Sequence, residues 1–172
     1  MGKESKYLDS RTLKAIKKWV SYVEKHQYVK NAESKARKKL KLHHQYMNAG
    51  KNRIVYDIEK SSVLKIGISE KGLEDNKREI KTYKSAPKSL RKHLAKIRDH
   101  GDGWVVMEKI EEKVPETKKY EKKVIKLHKK FRKKGLEPSD IIKEKKRKKA
   151  KWKNIGLKRG KIVVIDYGNF RK

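Results

Sequence analysis

Val163-Val164-Ile165-Asp166-Tyr167-Gly168 decides how this chain is read. Three consecutive β-branched residues mark a buried strand, predicted over 162–166, and an acid and a glycine follow at once. A carboxylate held at a strand end is a candidate ligand for a hard cation, which prefers oxygen. The plain alternative is a turn after a strand.

Working back from that strand, Asn154 with Ile155-Gly156 lies twelve residues before Asp166 and offers a second oxygen for the same cation. Between Lys143 and Lys153 there are eight basic residues and one acid, which predicts a mobile loop or frayed helix. Pro115 opens and Gly135 closes a helix with Tyr120, Val124, Leu127 and Phe131 on one face. Gly101-Asp102-Gly103 turns into a strand over 104–110. A helix over 72–86, stopped by Pro87, carries Asn76, Glu79, Ile80 and Tyr83 on its inward stripe. A short helix with Leu90, Leu94 and Ile97 follows.

Ile54–Ile58 and Val63–Ile68 flank a polar turn and predict a β-hairpin. Lys65 lies inside its second strand, either as an exposed edge residue or as a functional cation. Residues 1–48 hold 13 Lys or Arg against 4 acids and have no proline. Leu13, Ile16, Trp19, Val20 and Val23 recur at helical spacing behind Asp9 and Ser10. A second helical stretch is expected to end near Leu40, Leu42 and Tyr46.

Charged residues make up 42% of the 172, against about 25% in an ordinary domain, so the core is modest. The formal charge of +31 calls for an anionic partner, nucleic acid, an acidic protein face or anionic lipid, unless the lysines are simply a solvated surface. With no cysteine there are no disulfides and no thiolate chemistry. No apolar run reaches the length of a membrane span, and the N-terminus lacks a secretory core, so a cytoplasmic location is expected. Neither a zinc-ligand spacing, a nucleophile elbow nor a complete Gly-Lys-Ser/Thr phosphate loop is present.

Several segments taken in order resemble a compact protein-kinase-like family of bacterial and phage genomes. They are Gly50–Asp57, Val63-Leu64-Lys65, Asp75–Glu79, Trp104–Lys109, and Asn154-Ile155-Gly156 leading to Ile165–Gly168. The likeness covers about residues 49–168. It implies an α+β fold: a kinase-like N-lobe of antiparallel sheet plus helix over 49–110, an abbreviated C-lobe over 111–172, and a basic helical extension over 1–48. It also implies ATP and magnesium as ligands. Lys65 would contact phosphates with Glu79 holding it, Gly50 would lie in the covering loop, and Met107, Glu108 and Lys109 would border the adenine. Asn154 and Asp166 would bind magnesium.

This chain departs from the family pattern at three places. The covering loop has one glycine, Gly50. The kinase spacing Asp-Leu-x-x-x-Asn would put the catalytic aspartate where this chain has Lys149. Asp140 takes that role only if residues 143–153 form an inserted loop. Almost nothing follows Gly168, so the peptide platform is expected to be missing. A catalytically weak, kinase-like regulator of a cellular or host partner is therefore the first expectation. The alternatives are an active Ser/Thr-type phosphotransferase and a nucleic-acid-binding protein on a kinase-like scaffold.

For nucleic acid, phosphate contacts would come from two patches. One is Lys35, Arg37, Lys38, Lys39 and Lys41; the other is Lys145, Lys146, Arg147, Lys148 and Lys149. Trp152 beside the second patch is either a core residue or a stacking platform.

Overall fold

The computed structural model describes residues 4–144 and 147–172. The described residues are mixed α+β, with five α-helices and mainly antiparallel strand pairing. It packs as two units, Met1–Lys77 with Ile97–Lys109, and Arg78–Lys96 with Ile110–Lys172.

In the first unit, helix α1 (Ser10–Lys25) starts where the Asp9 carboxylate accepts the Thr12 amide at 2.7 Å. Its stripe Ile16, Trp19, Val20 and Val23 is buried, as the spacing predicts, and Trp19 Nε1 donates to the Gly67 carbonyl at 2.9 Å. Helix α2 (Ala32–Leu40) ends earlier than expected: Lys41 takes a left-handed conformation (φ 45°) and its amide closes onto the Arg37 carbonyl. Tyr46 therefore belongs to a strand, β1 (Gln45–Ala49), opposite Tyr56 of β2 (Arg53–Ile58). Strand β3 (Ser62–Gly67) pairs with β2 across a turn in which Lys60 and Ser61 are both left-handed. Arg98 donates to the Lys60 and Ser61 carbonyls and braces that turn.

Helix α3 (Glu70–Ser85) follows, and residues up to Lys77 belong to the first unit. Ile97, expected on a helix, opens strand β4 (Ile97–Gly101), which pairs with β5 (Trp104–Glu108). The sheet order is β1-β2-β3-β5-β4, with β3 in the centre. One face of the sheet, with Ile54, Tyr56, Leu64, Ile66 and Val106, shares a single core with the α1 and α2 stripes. Residues 1–48, expected as a basic helical extension, thus bury their apolar stripes in a core shared with the sheet.

In the second unit, the remainder of α3 is followed by α4 (Lys88–Arg91), strand β6 (Glu112–Lys113) and helix α5 (Lys118–Lys133). Thr117 caps α5 by accepting the Tyr120 amide, and Val124, Leu127, His128 and Phe131 form its buried stripe. Phe131 meets Phe170 edge to face at 5.3 Å between ring centres. The described part of 143–153 is ordered structure: β7 (Ile142–Lys143) pairs with β8 (Lys149–Ala150), and a 3-10 turn spans Trp152–Asn154. Alternate positions there pack inward, since Ile142 and Ala150 are buried, a signal the lysine run obscured. Strands β9 (Ile155–Lys158) and β10 (Lys161–Val164) form a sheet with β6 in the order β10-β9-β6. The last strand stops at Val164, two residues before Asp166.

Candidate functional site

Strand pairing positions the sheet residues of the first unit. Lys65 lies on the central strand opposite Val55 and Val105, so it is not an edge residue. Side chains alternate along β3. Leu64 and Ile66 enter the α1–α2 core, while Val63 and Lys65 face the other side with Met107, the partner of Val63. Lys65 is only 6% exposed. A lysine buried this far is costly unless its ammonium is paired or hydrogen-bonded.

Around the expected adenine border, Met107 is buried and Glu108 half-buried. The Lys109 ammonium pairs with Asp57 Oδ2 at 2.7 Å, and its amide donates to the Ser61 carbonyl at 2.9 Å. That amide thus extends the β3–β5 pairing beyond Glu108. Gly50 sits in the exposed β1–β2 turn, where its amide donates to the Arg53 carbonyl and a Cβ would meet open space. A second glycine, Gly72, is the one packed tightly: a Cβ there would lie 1.8 Å from the Asn52 carbonyl oxygen. That contact brings the start of α3 onto the β1–β2 turn.

The second unit gathers the acidic residues. The Asn154 Nδ2 donates to the Asp140 carbonyl at 2.7 Å, and the Ile165 amide donates to the Asn154 carbonyl at 2.8 Å. Asp140 Oδ2 accepts the Asn169 amide at 2.8 Å and Oδ1 accepts the Asn169 side-chain amide at 3.1 Å. Burial pushes the Asp140 carboxyl above the ordinary aspartate range; the Asn169 hydrogen bonds pull it back, and the charge of Asp166 pushes it further up. Asp140, Asn154 and Asp166 are thus neighbours although they are spread over 140–166 in the chain. Between Asp140 and Asn154, β7 pairs with β8. Lys149, at the position where the spacing asked for an acid, is an exposed strand residue opposite Lys143.

Glu79 is fully buried, and its Oε1 accepts the Tyr167 amide at 3.0 Å. The preceding Arg78 donates to the Gly168 carbonyl at 3.2 Å. Tyr167 is locked at its other end, where its hydroxyl donates to the Ala95 carbonyl at 2.8 Å. Two adjacent helix residues therefore hold the Asp166-Tyr167-Gly168 backbone.

The donor set suits a hard cation. The Asn154–Asp140 bond uses Nδ2 and leaves the Asn154 Oδ1 as oxygen donor, and a divalent ion would relieve the repulsion between Asp140 and Asp166. Asn169, which holds both Asp140 oxygens, and the Tyr167 amide were not legible as site groups. The only signal for Asn169 was its place directly after Gly168.

In the first basic patch, Arg37 stands over the Tyr46 ring at 4.2 Å, and Lys39 and Lys35 stand over Tyr22 at 4.4 and 5.8 Å. Lys38 and Lys41 are exposed. In the second patch Arg147, Lys148 and Lys149 are exposed, whereas Lys145 and Lys146 lie outside the described residues. Trp152 is half-buried. Among the described residues no helix is long and apolar enough to cross a membrane, and the chain has no cysteine.

No protein-family model matches this chain. No curated protein matches it in sequence.

Proposed function

We propose that this chain is a protein-kinase-like domain that binds ATP with magnesium and acts chiefly by binding, as a catalytically weak regulator of a cellular or host partner. The observation carrying this reading is the Asp140–Asn154–Asp166 neighbourhood, in which the Asn154 side chain ties down the Asp140 backbone. Further support comes from the sheet order β1-β2-β3-β5-β4, with α3 in the connection between β3 and β4 and Lys65 on the central strand.

In this reading Lys65 would contact the nucleotide phosphates, and Glu79 keeps the role the resemblance implies, the carboxylate that would hold that lysine. Met107 and Glu108 border the base. Asn154 Oδ1 and the Asp166 carboxylate would hold magnesium, which would supply neutralisation of phosphate charge. Asp140 orients a hydroxyl acceptor. Its two oxygens are each engaged by Asn169, which would compete with that acceptor and slow turnover.

An active Ser/Thr-type phosphotransferase is the second reading, favoured by the Asn154–Asp140 bond. In that reading Asp140 would stand in for the acid missing at position 149, with the segment between Asp140 and Asn154 as the insertion.

Thermal melting tests the nucleotide reading. Bound ligand stabilises by about 2.7 kcal/mol at a hundredfold excess over Kd. ATP with Mg²⁺ should therefore raise the melting temperature by several degrees, and Asp166→Ala should remove the magnesium-dependent part. No shift at millimolar nucleotide, with no heat of binding by calorimetry, overturns it.

A further inference from the structure

A second site lies on the first unit, outside the residues proposed for ATP. An open cleft of about 750 Å³ runs between α2 and β1, and its walls include Arg37, Lys38, Lys41, His44, Tyr46 and Glu33. We propose that this cleft binds single-stranded nucleic acid, with backbone phosphate held by Arg37, Lys38 and Lys41 and a base continuing the stack of Arg37 on Tyr46.

Three features carry this. The first is shape: the volume falls within the range of small-ligand sites, about 300–1,000 Å³, and is large enough for a nucleotide. The second is charge. Three basic side chains, Arg37, Lys38 and Lys41, line the cleft, whereas its carboxylate, Glu33, accepts the Tyr46 hydroxyl at 2.5 Å and points its charge into that bond. The third is the aromatic floor. The Arg37 guanidinium covers Tyr46 at 4.2 Å, and Tyr46 meets Tyr56 edge-on at 6.2 Å. This fixes the orientation of the Tyr46 ring, so stacking on it loses little further entropy. Cations beside an ordered aromatic surface are what an unpaired base with its phosphate requires, and an acidic peptide has no use for the rings.

The left-handed Lys41 is what makes the cleft. By ending α2 there, the chain turns back and places His44 and Tyr46 opposite Arg37 and Lys38. A helix continuing to Tyr46 would have spread the same residues around a cylinder.

The test is fluorescence anisotropy of the full chain with a labelled oligothymidylate of about twenty nucleotides, across a salt series. The triple variant Arg37→Gln, Lys38→Gln, Lys41→Gln should bind at least about tenfold more weakly at low salt. Its log–log salt slope should be shallower by about 2, the release expected for three lost single-strand phosphate contacts. Tyr46→Leu should weaken oligothymidylate binding while leaving the salt slope unchanged. The matched triple Arg147→Gln, Lys148→Gln, Lys149→Gln should lose less than about threefold, as those residues lie outside the cleft. Melting temperatures monitor folding, and Tyr46→Phe, which keeps the ring but releases the Glu33 carboxylate, should weaken binding less than Tyr46→Leu does. Equal loss in both triples, no binding by the parent at low salt, or displacement of the strand by poly-glutamate as readily as by unlabelled oligothymidylate overturns the proposal.

Discussion

The Tyr167 amide donates to the buried Glu79 carboxylate at 3.0 Å, joining positions 88 residues apart in the chain. With Arg78 on the Gly168 carbonyl, this makes α3 the support of the segment that carries Asp166. The orientation of a candidate metal ligand thus depends on a helix residue that need not touch the metal.

Glu79→Ala should therefore destabilise the protein. It strands a buried backbone N–H, at a cost of about 1–3 kcal/mol, and lowers the melting temperature by about 2–4 °C for each kcal/mol. Glu79→Gln retains an acceptor and should recover most of that loss. An Ala variant that melts with the parent would show that the Glu79–Tyr167 bond holds nothing.

Asp140 sets a pH dependence. Its carboxyl is raised in the folded state, chiefly by burial, so the folded protein holds this proton more tightly than the unfolded chain does. Stability should fall as pH rises from the ordinary aspartate range through the raised value, and be unburdened below it. Asp140→Asn abolishes this ionisation, so its melting temperature should gain on the parent as pH goes from about 4 to 7. An identical pH profile for the two proteins would remove the case for a raised Asp140. In a labelled-ATP assay the same variant should reduce phosphotransfer to background.

Gly72→Ala tests the approach of α3 to the β1–β2 turn. A Cβ there would meet the Asn52 carbonyl oxygen at 1.8 Å, and backbone must move to admit it. The expected loss is about 1–3 kcal/mol or more by chemical denaturation, although alanine is the better helix former. A neutral or stabilising Gly72→Ala would contradict that packing.

Lys109→Met removes the ion pair with Asp57, whose two side chains are about a quarter exposed. The expected cost is about 0.5–1 kcal/mol, and ATP-induced stabilisation should persist because the Lys109 amide is bound to Ser61. Loss of that stabilisation would return Lys109 to the adenine border.

Periodicity carried the short-range structure. The α1 stripe, the β2–β3 hairpin, the inward Glu79 and the apolar face of α5 all follow from spacings of two, three or four residues, which is the reach of a repeating backbone. The lysine run hid the β7–β8 hairpin, because its inward positions are few and short. The end of α2 was hidden too, since nothing in Leu40-Lys41-Leu42 announces a left-handed lysine.

The amino-acid order alone determined the acid and glycine behind the last apolar run, a lysine inside another strand, the absence of thiols and the excess of positive charge. Tertiary structure decided which of these meet. It made Lys65 a central-strand residue and set Asp140 beside Asn154, with Asn169 on its carboxylate. It also folded Arg37 over Tyr46. These contacts depend on how strands pair and where turns reverse the chain. Their free energy comes from burial shared by segments far apart in sequence, so no local pattern encodes them.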